Sequence, residues 1–245
     1  MGSEMCIRDR VYFIGFGPGD PELLTIKAYK ILKRADLIIY PGSLIDEKFL
    51  EEFSGRKVNS YGMKLEEIIE LIESNVKAGK IVARVVSGDP SIFSALNEQI
   101  LELRRRGLEC EVIPGISSIF SATATLKVEL TAPSVSHAVA ILRPAGRTLN
   151  RDYLEEFAKI PCTIVILLGI EKIEEIAERV GKIRGWDEPI AVVYHASRGD
   201  EKIVKGKLGD IAEKIKKEEI RRTSVIIIGK VLEKEKNVKR CVLYA

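Results

Sequence analysis

Two tripeptides of identical composition occupy positions where chemistry is easily placed. Gly19-Asp20-Pro21 follows the apolar run "VYFIG", and Gly88-Asp89-Pro90 follows "IVARVVS". A third small-residue turn, "PGISS" (Pro114–Ser118), follows "ECEVI". Glycine turns at the carboxyl ends of buried strands are the usual ligand position of an open α/β sheet, and phosphate is the commonest ligand there. The aspartates argue against phosphate. A G-x-G-x-x-G fingerprint would need glycine where Asp20 stands, and Pro18 removes a backbone N–H. The next strand ends at Tyr40-Pro41, without the acidic residue that grips a ribose. No glycine turn is followed by the GK[ST] of a phosphate loop. The edge therefore suits a polar ligand, uncharged or cationic, with adenosine-like hydrogen bonding.

Asp is a favoured N-cap and Pro a favoured first helical residue. Both Asp-Pro pairs are accordingly expected to start helices, at Pro21 and at Pro90. Capping explains less around 88–93, where a small-residue turn remains to be accounted for.

The elements that would position these turns alternate strand and helix. "VYFIGFG", "DLIIY", "IVARVVS" and "ECEVIPG" read as buried strands. "PELLTIKAYKILKRA", "KLEEIIELIESNVKAG", "PSIFSALNEQILELRRRG" and "SSIFSATATL" carry helical spacing. That order predicts a mostly parallel sheet covered on both faces. "ELTAPSVS" reads as a linker. A second α/β half follows, with strands at "HAVAILRP", "CTIVILLG", "EPIAVVYHA", "EKIVKGKL" and "TSVIIIGKVL". Its helices fall at "NRDYLEEFAK", "EKIEEIAERVG" and "LGDIAEKIKKE". The strands near 189–196 and 201–208 leave no room for a helix between them. They predict a hairpin and a mixed sheet. The domain limits read from this pattern are 11–132 and 136–232. Residues 1–10, "MGSEMCIRDR", fit nothing that follows and are read as a non-native leader; 233–245 reads as a charged tail.

The bulk numbers exclude several classes. The chain has 245 residues, 46% hydrophobic and 31% charged, with a net charge of +3. Acidic and basic residues interleave, so no nucleic-acid partner is expected. The longest apolar run, Thr163–Ile170, is far short of the roughly 20 residues of a membrane helix. Cys6, Cys110, Cys162 and Cys241 form no CxxC pair, so neither a disulfide framework nor a metal site is expected. A cytoplasmic protein is the expectation.

In order along the chain, "GFGPGDPELLT", "YPGSLI", "YGM", "RVVSGDPSIFSA" and "EVIPGISSIFSA" resemble the tetrapyrrole methylases. These are S-adenosylmethionine-dependent C-methyltransferases. "YPGSLI", "YGMKLEEII", "ELTAPSVSHAVAILRPAGRT" and "YHASRGDEKIVKGKL" resemble most the branch that methylates C11 of precorrin-4 or its cobalt form. The resemblance implies two α/β domains with the cofactor in a cleft between them, and a homodimer. It implies cofactor contacts at Pro18, Gly88, Asp89, Ile92, Phe93, Ser117, Ser118, Leu168 and Ala196. The rivals are a uroporphyrinogen-III methyltransferase, a diphthine synthase, disfavoured by "YPGSLI" and "AGRT", and a nucleotide-binding module that methylates nothing.

Methyl transfer from a sulfonium needs alignment more than a base. Backbone carbonyls and apolar walls are expected around the sulfonium rather than a carboxylate, which would stabilise the ground state more. No catalytic residue is assigned. The substrate carries many carboxylates, which planar Arg forks suit. Arg143, Arg147, Arg84 and Arg198 are read as lying on or after strand ends and are candidates, Arg147 first; surface solvation is the ordinary alternative for each. Met63 is placed among the substrate contacts, although core packing is the commoner role of such a Met. His195 reads as a hydrogen-bonded structural histidine, with a substrate contact as the alternative, and His137 has no functional reading.

Overall fold

The computed structural model describes residues 11–42, 45, 47–146 and 149–233. The leader 1–10 and the tail beyond Glu233 lie outside them. The chain forms two compact units that divide between Ser118 and Ile119.

The first unit holds strands β1 (Val11–Gly15), β2 (Leu37–Tyr40), β3 (Arg56–Asn59), β4 (Val82–Val86) and β5 (Cys110–Ile113). They form one parallel sheet in the order β3-β2-β4-β1-β5. Helices α1 (Ile26–Leu32), α2 (Glu47–Leu50), α3 (Leu65–Lys77) and α4 (Leu96–Arg105) cover it. Alternation along the strands divides the core. Ile14, Ile38, Ala83 and Val85 pack against Ala28 and Leu32 of α1 and Leu50 of α2. Val11, Phe13, Leu37, Ile39 and Val82 pack against Ile68, Ile69 and Ile72 of α3 and Leu103 of α4. Each fully buried large aliphatic side chain contributes about 1.5–3 kcal/mol. Both sheet faces are covered, which is why β4 reads as a continuous buried run.

Two expected helices are corrected. The one from Pro21 is a single 3-10 turn, Pro21–Leu23, after which the chain is extended at Leu24. Asp20 does cap that turn, accepting from the Glu22 N–H. α1 has its own cap, the Thr25 hydroxyl, which accepts from Ala28 N–H. The helix from Pro90 begins only at Leu96, because Phe93 and Ala95 adopt left-handed φ of 49° and 56°. The polar strand β3 carries no apolar alternation and escapes a pattern reading.

The second unit holds β6 (Val139–Leu142), β7 (Thr163–Ile166), β8 (Pro189–Tyr194), β9 (Lys202–Lys207) and β10 (Ser224–Ile228), in the order β6-β7-β10-β8-β9. β6 and β7 are parallel; β10 is antiparallel to both its neighbours. β8 and β9 form the expected antiparallel hairpin, and the sheet is mixed as expected. Helices α5 (Ser118–Leu126), α6 (Leu154–Ala158), α7 (Ile173–Arg184) and α8 (Ile211–Lys217) accompany it. α5 packs Ile119, Ala122 and Leu126 on Val165, Ala191, Val193, Val225 and Ile227. This is why the compact unit starts at Ile119, upstream of the linker read at 129–136. The opposite face carries α6, α7 and α8. α7 was expected to stop at Gly181 and runs on to Arg184. A Cβ at Gly181 would lie 2.7 Å from the Trp186 ring, so that glycine admits an indole rather than ending a helix. Among the described residues no helix is long and apolar enough to cross a membrane.

Candidate active site

The carboxyl ends of β1, β4 and β5 converge on backbone contacts. A Cβ at Gly15 would lie 2.5 Å from Gly115 N and 2.8 Å from Gly88 O. A Cβ at Gly115 would lie 2.3 Å from Gly88 O. Only glycine admits such approach. Gly17 and Gly88 exchange backbone hydrogen bonds of 2.8 and 3.2 Å, which sets Pro18 beside the Gly88 turn. A Cβ at Gly88 would stand 3.6 Å from both Ser117 Cα and Ser118 N. Pro18, Gly88, Asp89, Ser117 and Ser118 are therefore gathered at one place, as the glycine turns suggested.

Asp89 does not start a helix, contrary to expectation. Its Oδ1 accepts from Ser91 N–H at 2.8 Å and from the Ser91 hydroxyl, and its Oδ2 accepts from Gly115 N–H at 2.9 Å. It ties the turn after β4 to the turn after β5. Partial burial pushes its carboxyl up, but these hydrogen bonds outweigh burial and hold it below the usual range. Both oxygens are engaged within the turn. Ile92 continues the turn, donating to Asp89 O at 3.2 Å, and Phe93 follows with its side chain exposed.

In the second unit, Leu168 and Ala196 lie beyond the carboxyl ends of β7 and β8, on one edge of that sheet. Leu168 is exposed with φ of 56°; Ala196 is buried between His195 and Ser197, whose φ values are 47° and 72°. Non-glycine residues in this region cost of order 1–3 kcal/mol each and cluster at functional sites. Glu201 clamps the turn, accepting from Ser197 N–H at 2.7 Å and from the Thr125 hydroxyl of α5 at 2.9 Å. His195 Nδ1 is 2.8 Å from Asp200 Oδ2, and its ring stacks on Tyr194. This is the hydrogen-bonded histidine expected from the sequence. The hydrogen bond with His195 holds the Asp200 carboxyl below its usual range.

The substrate candidates separate. Arg147 lies outside the described residues. Arg143 follows β6 on a loop pinned by Asp152, which accepts from Ala145 N–H and from Arg179 of α7. Met63 packs half-buried against the core beneath α3. Arg198 follows His195, donating its N–H to His195 O. Arg84 is 7% exposed, not a surface residue. Its Nε donates to Gln99 Oε1 at 3.1 Å; Nη1 donates to Ser60 Oγ at 3.1 Å and to the Ile39 and Val85 carbonyls at 3.4 Å. Burial pushes its pKa down to about 10, which leaves it protonated at neutral pH. Ser60, Gln99, Asp152 and Arg179 escaped the sequence reading. An arginine inside "VARVV" was the one available signal for the first two; nothing local marks the others. Among the described residues no group of three or more His, Cys, Asp or Glu side chains is placed to hold a metal ion.

The architecture agrees with what the chain resembles. The sequence profile of the Tetrapyrrole (Corrin/Porphyrin) Methylases matches residues 10–212, and the chain belongs to that family. The cobalt-precorrin-4 C(11)-methyltransferase of Methanocaldococcus jannaschii is 51% identical over 230 residues, covering 91% of this chain and 88% of the relative. The crystal structure of a cobalt precorrin-4 methyltransferase matches with a TM-score of 0.87 and 35% identity, over 91% of this chain and 95% of that one. A uroporphyrin-III C-methyl transferase from Thermus thermophilus, complexed with S-adenosyl homocysteine, matches with a TM-score of 0.80 and 35% identity, over 91% and 99%.

Proposed function

We infer that this chain is an S-adenosylmethionine-dependent C-methyltransferase of cobalamin biosynthesis, acting at C11 of cobalt-precorrin-4. The observation that carries the reading is the glycine junction. Three turns meet backbone to backbone, and the carboxylate of Asp89 has both oxygens engaged within the turns. Such a surface fits a sulfonium cofactor and offers nothing to a pyrophosphate. The specific ring position is supported by the similarity to the Methanocaldococcus enzyme over most of both chains.

Adenosylmethionine supplies an electrophilic methyl when bound. The protein's part is to orient and to exclude water. Positioning alone supplies up to roughly 7–11 kcal/mol in favourable cases. Gly88, Pro18, Ser117 and Ser118 would form one wall of the cofactor site, with Ile92 and Phe93 beside them. Leu168 and Ala196 join the proposed cofactor contacts on the family resemblance alone. Arg143, Arg147 and Met63 would meet the tetrapyrrole. The same reading carries a homodimer, which rests on the family resemblance alone, and a cytoplasmic location, which rests on widely spaced cysteines that form no CxxC pair.

The likeness to the Thermus enzyme favours one competitor, methylation of uroporphyrinogen III. Calorimetric titration with S-adenosylhomocysteine, with NADH as control, tests the cofactor. Turnover on cobalt-precorrin-4 against uroporphyrinogen III tests the substrate. Micromolar binding of S-adenosylhomocysteine alone, with product from cobalt-precorrin-4 alone, is the expected result. Product from uroporphyrinogen III alone would replace the reading with its competitor.

A further inference from the structure

Three buried or half-buried guanidiniums show how this molecule treats a cation. Arg179 is surrounded by the carboxylates of Asp152, Glu155 and Glu175. Arg184 donates to the carbonyls of Phe157, Ala158 and Ile160 and lies 3.4 Å from Glu188. Arg84 has neither arrangement. Its hydrogen bonds all end on neutral oxygens: the Gln99 amide, the Ser60 hydroxyl and two strand carbonyls. No carboxylate among the described residues pairs with it, and its Nη2 donates to none of them. A buried charge without a counter-ion is costly and is kept where something else benefits from it.

The guanidinium lies at the ligand edge of the sheet. Arg84 is level with Ile39 of β2, which is level with Val58 of β3. Ser60 is two residues further along, about 7 Å toward the carboxyl edge. The side chain thus runs along the strands to that edge. The connections after β2 and β4 leave toward opposite sides of the sheet, β2 to β3 and β4 to β5. The crevice of an open α/β sheet opens between such a pair. Gln99 is itself held, donating to Ala95 O at 3.1 Å, so the fork is locked before a ligand arrives.

We propose that Arg84 is the buried anchor for a peripheral carboxylate of the tetrapyrrole, received at Nη2 in the crevice between β2 and β4. The proposal rests on the tetrapyrrole reading above. Arg84 then selects a substrate whose side chains end in carboxylates and fixes its rotation in the crevice, while the cofactor is held at the glycine junction.

The test compares the full-length protein with Arg84→Gln and Arg84→Lys. Turnover of cobalt-precorrin-4, titration with S-adenosylhomocysteine and thermal unfolding are measured on each. Arg84→Gln is expected to raise KM about 10- to 100-fold, the scale of one charge-assisted hydrogen bond. Its affinity for S-adenosylhomocysteine stays within about twofold of wild type. Its melting temperature changes little, because removing an uncompensated buried cation offsets the loss of its hydrogen bonds to Gln99 and Ser60. Arg84→Lys retains the charge without the fork and lies between. An unchanged KM overturns the proposal, as does a KM increase matched by parallel losses of cofactor affinity and melting temperature, the mark of a structural arginine. Wild-type protein that binds S-adenosylhomocysteine and leaves cobalt-precorrin-4 unmethylated overturns the functional reading, and the anchor with it.

Discussion

The two units turn their chain differently at the residues expected to meet the cofactor. In the first, the turns after β1 and β4 place glycine at left-handed positions, Gly17 with φ of 77° and Gly88 with φ of 67°. Gly15 and Gly115 are fixed by space instead, since backbone fills the volume of any Cβ. In the second, Leu168, His195 and Ser197 hold left-handed φ with side chains attached. Where backbones must touch, only glycine serves. Where only the dihedral is demanding, a side chain can remain and bear a modest strain. Phe93 and Ala95 show that the first unit also uses strain once the chain leaves the junction.

The largest expected effect tests the spatial half of this contrast. Gly115→Ala must push apart three strand ends whose contacts are backbone, and should destabilise by about 3 kcal/mol or more while abolishing S-adenosylhomocysteine binding. Gly107→Ala provides the control. Gly107 has φ of 72° and open space around it, so only conformational strain of about 1 kcal/mol is expected. Equal unfolding midpoints for the two variants in urea would show that the junction yields, and that space is not its constraint.

Asp152 comes next. Burial pushes its carboxyl up, but Arg179 and the N–H groups of Ala145 and Leu154 bring it down to about 2, against an ordinary value near 3.8. A depressed carboxyl contributes stability that is present above its ordinary pKa and lost as pH falls toward the folded value. Wild-type stability should therefore drop by about 2 kcal/mol between about pH 4 and pH 2 through this group. Asp152→Asn should lose a comparable amount at neutral pH and show a flatter acid limb. Parallel acid limbs in the two proteins would mean that Asp152 does not hold the loop of Arg143.

The smallest expected effect concerns the strained half. Leu168→Gly relieves a left-handed leucine whose side chain is largely exposed, and should leave stability unchanged or raise it by up to about 1 kcal/mol. Its affinity for S-adenosylhomocysteine should fall. Unaltered affinity would remove Leu168 from the cofactor contacts and leave its strain without a functional account.

Much of the fold was legible because it follows from burial on two faces. The runs "IVARVV" and "TIVI" had no alternative to the sheet interior. The hairpin of β8 and β9 followed from the lack of room for a helix. Other features depended on neighbours distant in sequence. β3 is polar, and is a strand because the edge of β2 pairs with it. The late start of α4 reflects Phe93 and Ala95, which no propensity marks as left-handed. Asp89 looked like a helix cap because the N–H it accepts from Gly115 lies 26 residues away.

By itself, the sequence determined the alternation of strands and helices, the three glycine turns and the exclusion of a phosphate fingerprint. These are local: a glycine, a proline or an apolar run acts on its own stretch of backbone. Only the tertiary structure decided that Asp89 ties two turns together, that α5 packs within the second unit, and that Arg84 is a buried cation with no carboxylate beside it among the described residues. Those outcomes depend on which strands lie side by side. Pairing brings together residues whose relation is set by the whole unit's packing and not by any window of the chain.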